Sequence, residues 1–207
     1  MSQFFYIHPT NPQARLIGQA VEILKKGGVI VYPTDSGYAL GCLINNKQGV
    51  ERMVQIRQLA DDHNFTLLCE DLSEISHYAK VDNQCYRLLK NNTPGAYTFI
   101  LSATKELPRR LTVSKRKTIG IRVPDNNIAL ALLNALQEPL LSCSLMLPNE
   151  ENITQTDPEE IRDCLEKQVD LIIHGGVLEP LPTTVVDLTE DDIRILRVGR
   201  GDTTPFE

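Results

Sequence analysis

The 207-residue sequence has no tryptophan and few aromatic residues of any kind, 5% in total. Single-stranded nucleic acids bind largely by stacking bases on aromatic side chains, so this composition disfavours that function. No apolar run approaches the length of a membrane-spanning helix, and the first residues lack the basic and apolar segments of an export signal. We therefore predict a cytoplasmic protein without a membrane partner.

Cysteine pairs with metal-binding spacing are also missing. The five cysteines are widely separated and odd in number, and the four histidines show no ligand spacing. Neither a disulfide framework nor a metal site is predicted, and a reducing compartment fits this usage. Cys143 lies between two serines, but nothing in the sequence places a base beside it. Burial in a strand is therefore favoured over a nucleophilic role.

The two common phosphate-binding loops are absent. The sequence has neither Gly-x-x-x-x-Gly-Lys-Ser/Thr nor Gly-x-Gly-x-x-Gly, so any nucleotide site must be built differently. The net charge is -6, yet residues 105–122 alone carry +6, which leaves -12 on the rest. Such a basic segment attracts phosphates if the fold gathers its side chains, and is otherwise a solvated loop. Its basic residues are Lys105, Arg109, Arg110, Lys115, Arg116, Lys117 and Arg122.

Hydrophobic periodicity predicts alternating helices and strands. A helix should begin at Asn11-Pro12 and stop at Gly27-Gly28, with others at 50–59, 72–78, 84–90, 128–136 and 159–167; Asp125 is the expected cap of the fifth. Strands are expected at 29–32, 66–69, 97–101, 118–123, 140–144, 169–173, 184–188 and 193–198. The irregular alternation predicts one α/β domain over residues 1–207, with a mixed sheet flanked by helices.

Polar residues cluster where these strands begin or end, which is where α/β proteins bind ligands. They are Thr34, Ser36, Tyr38, Thr118, Arg122, Ser142, Ser144 and Arg197. Gly37 and Gly41 follow the first predicted strand, where they either leave room for a ligand or form an ordinary glycine turn.

Six segments, taken in order, resemble the YrdC/YciO family, which is related to threonylcarbamoyl-AMP synthase. They are PTDSGYALG, TPGAYTFIL, TIGIRVPDNNIALALL, LLSCSLMLP, TTVVDL and ILRVG. The segments IRQLADDHNFTLL and SLMLP are most similar to the YciO branch of the family. The resemblance implies a YrdC-like twisted mixed β-sheet with flanking helices and a concave basic cavity.

For function, the resemblance implies a nucleotide ligand: ATP, AMP or threonylcarbamoyl-AMP, with magnesium accompanying ATP. Synthases of the family join L-threonine, bicarbonate and ATP for the t6A modification of tRNA. By motif, Thr34, Tyr38 and Arg122 would bind threonine. The nucleotide and its phosphates would contact Arg57, Thr118, Ser142, Ser144 and Arg197. Arginine suits both carboxylate and phosphate, although a structural ion pair is the alternative for each.

Two positions depart from the synthase pattern, which has Lys-x-Arg-Pro and a later Ser-x-Asn. Here Arg57 keeps a positive charge, but Leu59 replaces the arginine and Met146 replaces the asparagine. Losing a transition-state donor typically costs about 100-fold to 1,000-fold in rate. The departures predict weak or altered synthesis or hydrolysis of the adenylate, and no catalytic residue can be assigned.

A second hypothesis is a non-catalytic protein that binds double-stranded RNA or tRNA. The six basic residues from Lys105 to Lys117 would then contact phosphates without reading bases.

Overall fold

The computed structural model describes residues 1–60, 63, 65–108, 111, 117–147, 154–190 and 192–207. Within these ranges ten strands form one sheet, and six α-helices flank it. The strands are β1 (Gln3–Tyr6), β2 (Ile30–Thr34), β3 (Gly37–Leu43), β4 (Thr66–Leu68), β5 (Tyr97–Ser102), β6 (Thr118–Arg122), β7 (Leu140–Ser144), β8 (Leu171–His174), β9 (Thr184–Asp187) and β10 (Arg194–Arg197). The helices are α1 (Ala14–Lys25), α2 (Lys47–Arg57), α3 (Ile75–Tyr78), α4 (Asn83–Asn92), α5 (Asn127–Leu136) and α6 (Pro158–Leu165).

The sheet is mixed, with spatial order β1-β8-β2-β3-β7-β4-β6-β5-β9-β10. Its centre is antiparallel, because β3 pairs with both β2 and β7, and β7 also pairs with β4. Parallel pairs join β1 to β8, β8 to β2, β4 to β6 and β5 to β9. This arrangement confirms the predicted α/β class with a mixed sheet. Among the described residues, none of the helices has the length and apolar character needed to cross a membrane.

Successive residues of a strand point to opposite faces of the sheet, and two apolar clusters follow from this alternation. On β2, Val31 belongs to one cluster, whereas Ile30 and Tyr32 belong to the other. Helices α1 and α5 pack together against the second cluster, which covers the half of that face formed by β8, β2 and β3. Helices α2, α3, α4 and α6 contribute buried side chains to the first cluster.

Strand β3 was not predicted, because Gly37 and Gly41 read as turn residues. Gly37 does turn the chain, with φ of +99°, but Gly41 lies inside the strand and pairs with Ser142. A Cβ at Gly41 would come within 2.8 Å of side-chain atoms of both Leu140 and Tyr32. Close packing therefore requires a glycine at position 41. The interpretation of Gly41 as a residue that leaves room for a ligand, or that forms a simple turn, is wrong.

Two predicted helix starts are also wrong. The N-cap position of helix α1 is Gln13, which makes no side-chain capping hydrogen bond, rather than Asn11. The backbone N–H of Asn11 donates instead to Nδ1 of His8 at 3.1 Å. Helix α5 is capped by Asn126, whose side-chain oxygen accepts from the backbone N–H of Ile128 at 3.0 Å. The expected cap, Asp125, is one residue too early. Strand β1 was missed because this short edge strand lacks an alternating pattern.

Replacement of Gly41 by alanine should destabilise the fold by about 1–3 kcal/mol, because the new methyl group overlaps Leu140 and Tyr32. Urea unfolding measures the change. Gly18→Ala is the matched control, since the site is helical and no atom apart from the chain neighbours and the adjacent helix backbone lies within 4 Å of the added Cβ. That control should stabilise the protein by roughly 0.5–1 kcal/mol. Equal stability of Gly41→Ala and the wild type would contradict the packing explanation.

Candidate functional site

A cavity of about 500 Å³ lies on the sheet face that α1 and α5 cover only in part. Its walls are mostly alternate residues of neighbouring strands in the sheet. These strands, in spatial order, are β3, β7, β4, β6, β5, β9 and β10. The lining comprises Ala39, Arg57, His63, Thr66, Leu68, Thr98, Ile100, Thr118, Arg122, Ser142, Cys143, Ser144, Met146, Thr183, Val185, Asp187, Leu196 and Arg197. Three arginines and a group of hydroxyls thus meet in one concave site.

Arg122 enters the cavity wall as half of a buried ion pair. It is the last residue of β6, and its Nη2 donates to a carboxylate oxygen of Asp35. Both side chains are only 7% exposed. Nη1 of the arginine donates to Oγ of Ser36 at 3.1 Å, and the second carboxylate oxygen of Asp35 accepts from the backbone N–H of Asp125 at 3.0 Å. The turn between β2 and β3 therefore holds the guanidinium group through both of its Nη atoms.

Arg197 is held in the cavity wall by Thr183. Its Nε donates to the backbone oxygen of Thr183 at 3.0 Å, and its Nη2 donates to the threonine hydroxyl, also at 3.0 Å. That hydroxyl shares a further hydrogen bond of 2.8 Å with the hydroxyl of Thr98. Burial, and then the positive charge of Arg122, lower the pKa of Arg197 from its ordinary value. The two cations are close enough to interact, which favours an anion between them.

Arg57 reaches the cavity from the last residue of α2. Its Nη1 donates to the backbone oxygen of Met146. Its Nε is buried without a hydrogen-bond partner, and the Nε of Arg122 is in the same situation. A buried donor without an acceptor costs about 1–3 kcal/mol, so each of these arginines carries one unsatisfied N–H that is shielded from solvent.

A hydroxyl pair supports the floor of the cavity. Oγ of Ser142 lies 2.6 Å from the phenol oxygen of Tyr32, which is completely buried behind it. Burial raises the pKa of Tyr32 well above its ordinary value, so the phenol stays protonated. Ser142 and its neighbour Ser144 therefore present neutral hydrogen-bonding groups beside the arginines.

Cys143 also lines the cavity, but its chemistry is that of a buried thiol. Burial raises its pKa to about 12, and the positive charge of Arg57 opposes this effect only in part. The thiolate is the nucleophilic form, and it is scarce at neutral pH under these conditions. The structure therefore favours the interpretation of Cys143 as a buried strand residue.

The structure brings together all five residues predicted to contact the nucleotide, because Arg57, Thr118, Ser142, Ser144 and Arg197 line the cavity. Arg122, which is predicted to bind threonine, lines the same cavity. Thr34 and Tyr38 are buried beside the turn and are not part of that lining. The hydroxyl of Thr34 donates to the backbone oxygen of Gly37 at 2.7 Å, and that of Tyr38 donates to Gly176 at 2.7 Å. Threonine binding by these two residues stays a prediction.

Several residues of the site were not singled out from the sequence. Asp35, Thr183 and Asp187 lie in the segments PTDSGYALG and TTVVDL, so the signal was their place in motifs that already carried the resemblance. Thr98 lies in TPGAYTFIL in the same way. His63 likewise lies in IRQLADDHNFTLL, a segment quoted for the YciO branch.

Two of the six basic residues predicted to contact RNA lie in the part of the chain that the structure describes. Lys105 and Lys117 are exposed. The other four predicted RNA contacts, Arg109, Arg110, Lys115 and Arg116, lie outside the described residues. RNA binding by this segment stays a prediction.

A family model described as telomere recombination, covering Sua5, YciO and YrdC proteins, matches residues 22–199. The chain belongs to the Sua5/YciO/YrdC family. Among relatives, an uncharacterized Haemophilus influenzae protein is 74% identical and the Escherichia coli protein YciO is 69% identical, each over 206 residues and the full length of both chains. A threonylcarbamoyl-AMP synthase of Vibrio vulnificus is 28% identical over 164 residues, covering 78% of this chain and 87% of the synthase.

Solved structures of the Sua5/YciO/YrdC family share the fold. The crystal structure of E. coli YciO superposes with a TM-score of 0.96 at 68% identity, covering all of both chains. P. abyssi Sua5 complexed with L-threonine gives a TM-score of 0.87 at 22% identity, covering 96% of this chain and 58% of Sua5. The resemblance to the family, including its YciO branch, is thereby confirmed.

The Asp35–Arg122 pair yields a stability prediction. Arg122→Met should cost about 3–5 kcal/mol in the free energy of unfolding, because Asp35 is left buried without its cation. The double variant Asp35→Asn/Arg122→Met should regain most of this loss, since neither charge remains. Urea unfolding of the three proteins checks both statements.

A control for that experiment is Arg52→Met, which breaks the half-exposed pair of Arg52 with Asp170. Exposed pairs contribute about 0–1 kcal/mol, so this variant should unfold almost like the wild type. A small effect of Arg122→Met, comparable to that of Arg52→Met, would show that the buried pair is not a major constraint.

Proposed function

We propose that the cavity binds an adenine nucleotide, with a phosphate placed among Arg57, Arg122 and Arg197, and that the protein carries weak or altered threonylcarbamoyl-adenylate chemistry. The observation that carries this proposal is the convergence of three guanidinium groups in one cavity. Guanidinium groups bind phosphate oxygens strongly, because each hydrogen bond is assisted by charge.

The dimensions and lining of the cavity support a small ligand. Its volume of about 500 Å³ is within the range of small-molecule sites. Ile100, Val185 and Leu196 add an apolar surface that suits a base or ribose.

The relatives support the choice of nucleotide. A threonylcarbamoyl-AMP synthase is 28% identical to this chain, and a Sua5 protein of the same fold was crystallised with L-threonine. Because of this similarity, the proposal includes a role in the cytoplasm that is close to the t6A modification of tRNA.

The two departures from the synthase pattern support altered chemistry. Leu59 packs against the apolar core and is not part of the cavity lining. Met146 lines the cavity, but its side chain lacks an amide. A charge-assisted hydrogen bond contributes about 1.5–3 kcal/mol, so losing these polar groups weakens charge stabilisation at the phosphate.

Magnesium belongs to this proposal only as the companion of ATP. Among the described residues there is no group of three or more His, Cys, Asp or Glu side chains placed to hold a metal ion. The carboxylate in the lining is that of Asp187, which accepts from the Thr189 hydroxyl at 2.6 Å and lies 3.8 Å from Arg194. The protein's own contribution is therefore the positive charge of its arginines.

Binding is tested by isothermal titration with AMP, ATP and adenosine. The nucleotides should bind more tightly than adenosine, and Arg57→Met should weaken AMP binding about 10-fold to 100-fold through loss of a charged donor. Arg52→Met, on the same helix but outside the cavity, should bind AMP like the wild type. No AMP or ATP binding at millimolar concentration would refute nucleotide binding.

Chemistry is tested with two assays. The protein is incubated with ATP, L-threonine and bicarbonate while pyrophosphate is followed, and the decay of added threonylcarbamoyl-AMP is followed separately. We expect activity at least about 100-fold below that of a family synthase assayed in parallel. A rate equal to that synthase would contradict the role assigned to Leu59 and Met146, and no signal in either assay would leave a binding protein without this chemistry.

A further inference from the structure

A buried tyrosine lies behind one of the polar residues of the cavity. Tyr32 is on β2 and Ser142 is on β7, with β3 between them, so their strands are about 10 Å apart. The ring of Tyr32 crosses this distance beside Gly41, where a Cβ would lie only 2.8 Å from Cε1 of the ring. The phenol oxygen then lies 2.6 Å from Oγ of Ser142. The missing side chain at Gly41 therefore allows a core residue to reach a cavity residue two strands away.

Burial decides which of the two hydroxyls donates. Tyr32 is 0% exposed, and among the described residues Oγ of Ser142 is the one hydrogen-bond partner of its hydroxyl. If Ser142 were the donor, the phenol proton would be buried without an acceptor, which is unfavourable. Burial also raises the pKa of Tyr32, so the phenol keeps its proton at neutral pH. The favoured arrangement is therefore donation from the phenol to Ser142.

The hydroxyl proton of Ser142 is then available to a ligand. Within the described part of the chain, Ser142 Oγ has no hydrogen-bond partner besides Tyr32, and the residue lines the cavity while only 3% exposed. An acceptor placed in the cavity can receive this proton, whereas a donor placed there would compete with it. A hydroxyl that already accepts one hydrogen bond is also a stronger donor of the next, because the two bonds polarise each other.

We propose, resting on the ligand binding described under the proposed function, that Tyr32 is a positioning residue that holds the Ser142 hydroxyl as a donor to an anionic oxygen of the ligand. A phosphate oxygen of a nucleotide and a carboxylate oxygen of an amino acid share this acceptor chemistry. The three arginines of the same lining favour an anion over a neutral acceptor. Tyr32 is not part of the lining, so it acts through Ser142.

A double-mutant cycle distinguishes positioning from packing. Isothermal titration measures the binding of AMP, and separately of L-threonine, to the wild type, Tyr32→Phe, Ser142→Ala and the double variant. Each single substitution should weaken the ligand that carries the anionic oxygen by about threefold to tenfold, the contribution of one hydrogen bond. The double variant should bind like Ser142→Ala, because Tyr32 then has no hydroxyl to orient.

The two ligands also identify the source of the anionic oxygen. Effects confined to AMP would place a phosphate oxygen beside Ser142, and effects confined to L-threonine would place a carboxylate oxygen there. Either result supports the role of Tyr32.

Tyr6→Phe is the matched control for the loss of a tyrosine hydroxyl. Tyr6 is on β1 of the same sheet, and its hydroxyl donates to Oε1 of Glu159 at 2.8 Å, but it is not part of the cavity lining. Its replacement should leave the affinities for AMP and L-threonine at the wild-type values. A loss as large as that caused by Tyr32→Phe would count against transmission through Ser142.

A second variant keeps the hydroxyl and remains informative if Tyr32→Phe or Ser142→Ala fails to fold. 3-Fluorotyrosine at position 32 retains the phenol, and the fluorine beside the hydroxyl makes it a stronger donor. The raised pKa of Tyr32 keeps this phenol protonated at pH 7.5. The fluorinated protein should bind the anionic ligand about twofold more tightly than the wild type, because polarisation passes through Ser142.

The outcomes separate this inference from the function on which it rests. The role of Tyr32 is overturned, while ligand binding stands, if Tyr32→Phe binds both ligands like the wild type or if it weakens binding equally in the Ser142→Ala background. Unchanged affinity of the fluorinated protein has the same consequence. If the wild type binds neither AMP nor L-threonine at millimolar concentration, both the inference and the proposed function are overturned.

Discussion

Alternation along the central strands is the constraint on which both the core and the cavity depend. On β7, Leu141 packs into the larger apolar cluster, whereas Ser142 faces the cavity. On β6, Ile121 is a core residue and Arg122 is a cavity residue. A shift of pairing by one residue would exchange these faces and place a charged side chain in the core. The register therefore determines both the stability of the core and the lining of the cavity.

The fold was predictable to the extent that local patterns decide it. Strand β7 has the predicted bounds, and helix α5 differs from its prediction by one residue at its start, because these segments combine strong periodicity with clear ends. Strand β3 could not be recognised, because the reason for Gly41 lies in Leu140 and Tyr32, which are far away in sequence. Only three-dimensional packing shows that this glycine belongs to a strand.

The candidate site, like the fold, was predictable from the sequence only where local motifs decide it. Motif resemblance identified Arg122 and Ser142, but not how they are held. The partner of Arg122 is 87 residues away, and Arg197 is oriented by Thr183 across neighbouring strands. The motif that contains Tyr38 predicts a contact with threonine, which stays a prediction, but it does not reveal that the hydroxyl bonds to the backbone of Gly175 and Gly176. Such pairings depend on sheet order, which a single sequence does not specify.

Core and cavity residues occupy alternate positions on the same strands, and this has an evolutionary consequence. A substitution at Ser142 or Thr98 changes the lining, while the neighbouring Leu141 or Phe99 continues to hold the sheet together. Selection can therefore alter the lining of the cavity in small steps without passing through unfolded intermediates. A scaffold of this kind allows relatives to diverge in chemistry while keeping nearly the same backbone, and it offers a practical starting point for redesign.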